Sequence, residues 1–153
     1  MHMVSIHTKA VKGRDPTEMA GHLIRRLHQQ STQVFQARTQ AAGFDLTSVQ
    51  FAALDGIERQ PGIDQASLAA AISFDRATIG GVIDRLEQKG LVERAVSAQD
   101  RRARQLQLTA AGVQLLAACR PVVEALQAEI LAPLSAAERK SLLALARKAL
   151  GLG

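Results

Sequence analysis

At Gly90 the apolar period of the chain switches from about 3.6 residues to 2, and no other feature narrows the fold as far. Before the switch, Ile79, Val82, Ile83 and Leu86 mark the buried stripe of a helix predicted from Asp75 to Lys89 and closed by Gly90. After it, Leu91–Arg94 and Gln105–Leu108 read as short strands, the second alternating cleanly. Residues 95–104 between them are polar and arginine-rich, which suits a hairpin loop. Upstream, Asp64 caps a short helix over Gln65–Ala71, and a turn around Ser73 leads into the next. Two short helices joined tightly and followed at once by a hairpin with a charged tip are the parts of a winged helix-turn-helix. The predicted class is therefore mainly α with a small β-hairpin.

Capping signals divide the remainder. Asp15-Pro16-Thr17-Glu18 opens a helix with Ala20, Leu23, Ile24, Leu27, Ser31, Val34 and Phe35 on one face, running to about Ala42 before Gly43. Thr47-Ser48-Val49-Gln50 is a capping box for a second helix, which Gln60-Pro61-Gly62 stops. Thr109 opens a long helix to Leu131, with a kink predicted at Pro121, and Ser135-Ala136-Ala137-Glu138 caps the last helix. Residues 1–14 lack periodicity and read as a flexible arm. Residues 15–153 read as one domain: a DNA-binding lobe over 45–108 and dimerisation helices over 15–43 and 109–153. The long terminal helices are apolar beyond what a small winged lobe covers, which predicts a homodimer.

Charge narrows the partner. A net charge of +5 and a pI near 10.1 favour a polyanion. Four Phe without Trp or Tyr provide few platforms for stacking unpaired bases, so double-stranded DNA is expected rather than single strands. No stretch reaches the roughly 20 apolar residues of a bilayer span, so no membrane partner is expected. The first residues lack a charged-then-apolar leader pattern. The lone Cys119 cannot form an intrachain disulfide, and a cytoplasmic location is expected.

The helix after the turn would enter the major groove with its N-terminal residues toward base edges. Ser73, Asp75, Arg76 and Thr78 are the candidates there, with Arg76 able to make a bidentate contact to guanine. Gly80-Gly81 would let backbone approach the duplex, and Arg85 would reach phosphate or pair with Asp84 or Glu87. The hairpin tip, Asp100-Arg101-Arg102-Ala103-Arg104, is the densest positive charge in the chain. A narrow minor groove concentrates negative potential that such arginines exploit, and Asp100 can orient a guanidinium.

Several stretches together resemble the MarR family of bacterial regulators along about Ala20 to Leu150. They are Leu46-Thr47-x-x-Gln50, Pro61-Gly62, Leu68-Ala69, Asp84-Arg85-Leu86-Glu87-x-Lys89-Gly90-Leu91-Val92-x-Arg94, Asp100-Arg101-Arg102, and Leu106-x-Leu108-Thr109-x-x-Gly112. The resemblance implies an obligate dimer through the terminal helices, a pseudo-palindromic operator, and frequently release by a small ligand. It gives Asp100 and Arg102 the wing roles of orienting acid and minor-groove arginine. Residues 75–81 are similar to members governing the degradation of aromatic compounds. The family's redox branch would need a cysteine near the start of the first long helix, and none stands there. Cys119, among Leu115, Leu116, Val122 and Val123, reads as a structural thiol.

His22-Leu23-Ile24-Arg25-Arg26-Leu27-His28 places four possible cationic donors in two helical turns. With Phe35 or Phe51 as an apolar wall, His22, Arg26 and His28 would suit a small aromatic acid or its thioester. The competing reading is that these residues bond across a dimer interface. The histidines show no metal-ligand spacing, no phosphate loop appears, and no cofactor is expected. The function expected is a non-enzymatic repressor with an allosteric site. The alternatives are a ligand-independent DNA-binding regulator, a winged helix used for protein contacts, and an enzyme with an appended winged helix.

Overall fold

The computed structural model describes residues 15–96 and 104–153; the expected arm over 1–14 and residues 97–103 of the expected hairpin loop, with Asp100, Arg101 and Arg102 of its tip, lie outside the described residues. A short 3-10 turn, Pro16–Glu18, precedes α1 (Ala20–Ala41), α2 (Ser48–Arg59), α3 (Gln65–Ala71) and α4 (Ile79–Gln88). Then come β1 (Val92–Val96), β2 (Arg104–Leu108), α5 (Ala110–Ile130) and α6 (Ala136–Ala149). The capping signals of α2, α3, α5 and α6 are all used: Thr47, Asp64, Thr109 and Ser135 each accept a backbone N–H from three residues ahead.

Two helix starts differ from expectation. The Asp15 carboxylate accepts the Thr17 N–H at 2.9 Å but closes only the 3-10 turn; extended backbone at Met19 ends it, and α1 begins at Ala20. Asp75 likewise caps a turn rather than the long helix. Its Oδ1 accepts from Ala77 N at 3.3 Å and its backbone carbonyl accepts from Thr78 and Ile79, so α4 starts at Ile79. Ser73, just upstream, has φ 55°, which makes the sharp turn between α3 and α4. Pro121 removes one N–H from α5, yet the helix runs unbroken from Ala110 to Ile130.

β1 and β2 pair antiparallel with Val92 opposite Leu108 and Arg94 opposite Leu106. A third edge was not visible in the sequence. Gly62 N–H donates to Leu106 O, Leu106 N–H donates to Ile63 O, both at 2.9 Å, and Asp64 bridges Gln105. This short segment ties the loop before α3 to the hairpin. The core is one cluster in which Leu54, Ile57, Leu68, Ile79, Ile83, Leu86, Val92, Leu106, Leu116 and Leu126 are buried. It holds α2, α3, α4 and the hairpin against α5.

The start of α5 is fixed to the α4–β1 corner. Thr109 Oγ1 donates to Gly90 O at 2.6 Å, and its N–H donates to Leu91 O at 3.1 Å. Gly112 packs so tightly that a Cβ there would lie 2.1 Å from Leu91 O. The terminal helices are different in kind. α1 buries only Phe35 and Thr39, and α6 buries nothing. Ile24, Leu143 and Leu145 are 66%, 59% and 63% exposed, so these apolar side chains find little cover among the described residues.

Candidate nucleic-acid interface

The surface built by the α3–α4 turn, α4 and the hairpin gathers the sequence-predicted DNA residues that are described. Ser73, Asp75, Arg76 and Thr78 are exposed along the turn, just ahead of α4 rather than in its first turn. The Thr78 hydroxyl bonds Asp75, at 3.3 Å to both its carbonyl and its Oδ2, so it shapes the turn instead of capping α4. Arg76 is exposed, and among the described residues it has no acidic partner.

The paired glycines separate in role. A Cβ on Gly80 would meet Gln65 Nε2 at 3.2 Å, so this glycine admits the side chain of α3. Gly81 has nothing within 4 Å and is the one that leaves open backbone on the outer face. Arg85 was expected either to reach phosphate or to pair with Asp84 or Glu87. Both acids are instead taken by Arg94 of β1, at 2.6 Å to Asp84 Oδ1 and 3.5 Å to Glu87 Oε2. Arg85 is exposed, and among the described residues it makes no ion pair. Arg104 opens β2 and stands opposite Val96.

Sequence reasoning assigned no role to Arg94 or Gln65. A signal was available for the arginine: it lies two residues after buried Val92, on the strand face where alternation calls for an apolar side chain. Lys89, at the end of α4, donates to Asp45 O at 2.6 Å and anchors that end to the approach of α2.

The expected ligand residues do not converge within one subunit. His22 is half-buried, Arg26 and His28 are exposed, and Phe35 is a core residue against half-buried Phe51, with ring centroids 6.1 Å apart. Arg26 and Phe35 are nine residues apart, about 13 Å along α1. Phe35 faces inward because it closes α1 onto α2, and Thr39 one turn on is also buried with its hydroxyl donated to Phe35 O at 2.8 Å. A cleft of about 570 Å³ does open beside α1, lined by Leu27, Ser31, Glu124, Gln127, Arg139 and Leu143 among others. Cys119 is buried in the core, and burial pushes its thiol pKa up, which opposes thiolate chemistry.

Helix-turn-helix, hairpin and exposed arginines beside the turn define a winged-helix DNA-binding protein. The family model of the MarR family matches residues 46–103, from just before α2 to the start of β2. The HTH-type transcriptional repressor NicR of Pseudomonas putida is 37% identical over 134 residues, covering 88% of this chain and 84% of that protein. BpsR of Bordetella bronchiseptica, in a structure concerned with regulation of its DNA binding by 6-hydroxynicotinic acid, superposes with a TM-score of 0.78 at 31% identity. That match covers 86% of this chain and 93% of BpsR. A mutant MarR from Escherichia coli complexed with operator DNA gives 0.76 at 29% identity, over 85% of this chain and 92% of that one. The chain belongs to the MarR family and is a transcriptional regulator. No helix among the described residues is long and apolar enough to cross a membrane.

Proposed function

We propose that the chain is a non-enzymatic, cytoplasmic repressor that binds a pseudo-palindromic operator as a homodimer and is released by a small aromatic acid or its thioester. The observation that carries the reading is the charge arrangement around α4. Its acids are held by Arg94, while Arg76 and Arg85 stand exposed without an acidic partner among the described residues. A helix so arranged offers donors to base edges at one end and a cation to phosphate further along. Residues 45–108 form the reading lobe in this account, and 15–43 and 109–153 form the dimer scaffold. Asp100, Arg101, Arg102 and Arg104 extend the reading to the adjacent minor groove.

The uncovered apolar residues of α1 and α6 support a second copy packing there, which places two reading heads as a two-fold operator requires. Arg26 and His28 lie beside that uncovered face, so a carboxylate buried between subunits would find cations there. The ligand named for BpsR is an acid of this aromatic kind. An inducer favouring one spacing of the heads would shift the dimer away from the operator-competent form.

The test is selection of duplexes from a random pool, followed by titration of the selected duplex against a scrambled one. A palindromic consensus with clear preference is expected; equal binding of both duplexes would remove the operator reading. Arg76→Ala should lose roughly 1–3 kcal/mol of base discrimination, whereas Arg102→Ala should weaken both duplexes and flatten the salt slope. Sequence-independent losses of equal size from both changes would contradict the assigned roles. Hydroxybenzoates, cinnamates and 6-hydroxynicotinic acid at millimolar concentration should release the duplex, and failure of all of them would remove this ligand class.

A further inference from the structure

We infer that Arg94 is a positioning residue for DNA recognition: from the hairpin it clamps α4 and α3 together and keeps the acids of the reading helix from facing the duplex. The inference rests on the DNA-binding reading above. Arg94 leaves β1 with its side chain only 15% exposed, whereas its partners Asp84 and Glu87 are 58% and 46% exposed. Its guanidinium reaches three side chains on two helices: Asp84 Oδ1 at 2.6 Å, Glu87 Oε2 at 3.5 Å, and Gln65 Oε1 at 3.2 Å. A planar fork suits such a divided set of acceptors, and an ammonium would not reproduce it. Gly80 completes the node, since any larger residue there would crowd the Gln65 amide at 3.2 Å.

The geometry distinguishes two roles for a cation at the root of a wing. A phosphate contact needs a guanidinium open to solvent. Arg94 is instead turned inward, with both terminal nitrogens engaged by protein acceptors. Its partners sit on the flank of α4 between the buried Ile83–Leu86 stripe and the open face of Gly81, Arg85 and Gln88. Left unpaired, two carboxylates on that flank would repel phosphates, and the helix would lose its tie to the hairpin. Wing and reading helix therefore move as one body, with the angle between them set by side-chain bonds as well as by the core.

The test uses the full chain, the duplex selected by the wild type, and a scrambled duplex, each titrated over a salt series. Arg94→Met and Asp84→Asn should each lower the ratio of selected to scrambled affinity about tenfold, with the double variant losing no more than either single. The salt slope on the selected duplex should stay unchanged for Arg94→Met. A slope lowered by about 1 per subunit would make Arg94 a phosphate contact and overturn the inference, as would additive losses in the double variant. Thermal unfolding monitors integrity. If Arg94→Met does not fold, Asp84→Asn and Gln65→Ala with Arg94 intact decide alone: a narrowed ratio at constant slope is expected, and an unchanged ratio overturns the clamp. Wild-type preference for the selected duplex is read in the same titrations. Its absence would remove the operator reading and failure to bind either duplex the DNA-binding reading itself, which keeps these failures apart from that of the clamp.

Discussion

Two glycines show how differently the same residue type is used in this chain. Gly112 sits where α5 meets the α4–β1 corner, and a methyl group there would collide with the Leu91 carbonyl. Backbone cannot swing aside as a side-chain tip can, so Gly112→Ala should destabilise by about 3 kcal/mol, the upper end of overpacking costs. Gly81 lies in α4 with open space around it, and Gly81→Ala should stabilise by about 0.8 kcal/mol through helix propensity alone. Urea unfolding of the two variants should therefore move in opposite directions; a shared direction would show that one of these sites is misplaced. Asp64 gives a pH-dependent case. The Ser67 N–H and hydroxyl donate to its carboxylate at 2.8 and 2.7 Å and hold its pKa below the ordinary 3.8. A lowered folded pKa means the stabilisation is whole above the unfolded value and fades as pH falls through the folded one. Asp64→Ala should cost about 1 kcal/mol near neutral pH. The gap to wild type should stay level down to about pH 5 and close below about pH 4. A gap independent of pH would mean that the cap does not depend on the ionised form.

Elements with a self-contained signal were legible in the sequence, and those made by tertiary pairing were not. Thr47, Asp64, Thr109 and Ser135 each announce a helix start because the cap bond closes within three residues. The helix predicted from Asp75 begins instead at Ile79, because the Asp75 side chain and carbonyl satisfy a local turn. The strand edge at 62–64 has no length or alternation of its own and exists only because β2 offers Leu106 N–H and O. On the proposed DNA surface, residue type and position drew attention to Arg76 and Arg85, and both are exposed. The partners of Arg94 and Gln65 were hidden because they come from other elements, although the alternation of β1 already set Arg94 on an inward-facing position. Arg120 was hidden in the same way: it joins α5 to α2 through Glu58 at 3.0 Å and Asp55 at 2.8 Å, separations of 62 and 65 residues in sequence. Its hydrogen bond to Glu58, aided by the charges of Glu58 and Asp55, raises its pKa. The cluster is partly exposed, so Arg120→Met should cost only about 1 kcal/mol. That cost should shrink as salt rises, and a loss insensitive to salt would point to packing of the arginine stem instead.

At the scale of the whole molecule, the uncovered faces of α1 and α6 decide how the subunit behaves. Ile24 and Leu145 are mostly exposed, so Ile24→Asp with Leu145→Asp should leave the subunit folded while abolishing the dimer. Sedimentation should then report a mass near 16.4 kDa in place of twice that value, with affinity for the two-fold duplex lost in parallel. A wild-type chain that is a stable monomer at micromolar concentration would remove the dimer outright. The inducer prediction depends on the same interface. Arg26 and His28 of α1 are exposed and do not line the cleft beside Leu27 and Ser31, so a second copy packed on this face would supply the walls of the proposed ligand site around them. An aromatic carboxylate leaving water there requires a cation or several donors, and Arg26 supplies a cation. Arg26 also lies outside the reading lobe, so its loss should not reach the bases. Arg26→Ala should therefore raise the concentration of 6-hydroxynicotinic or hydroxybenzoic acid needed for release by roughly tenfold, the size of one charge-assisted bond of about 1.5 kcal/mol. Affinity for the selected duplex without ligand should stay within about twofold of wild type. The reverse pattern, with duplex binding lost and the ligand response intact among the residual complexes, would assign Arg26 to holding the subunits together and place the effector elsewhere.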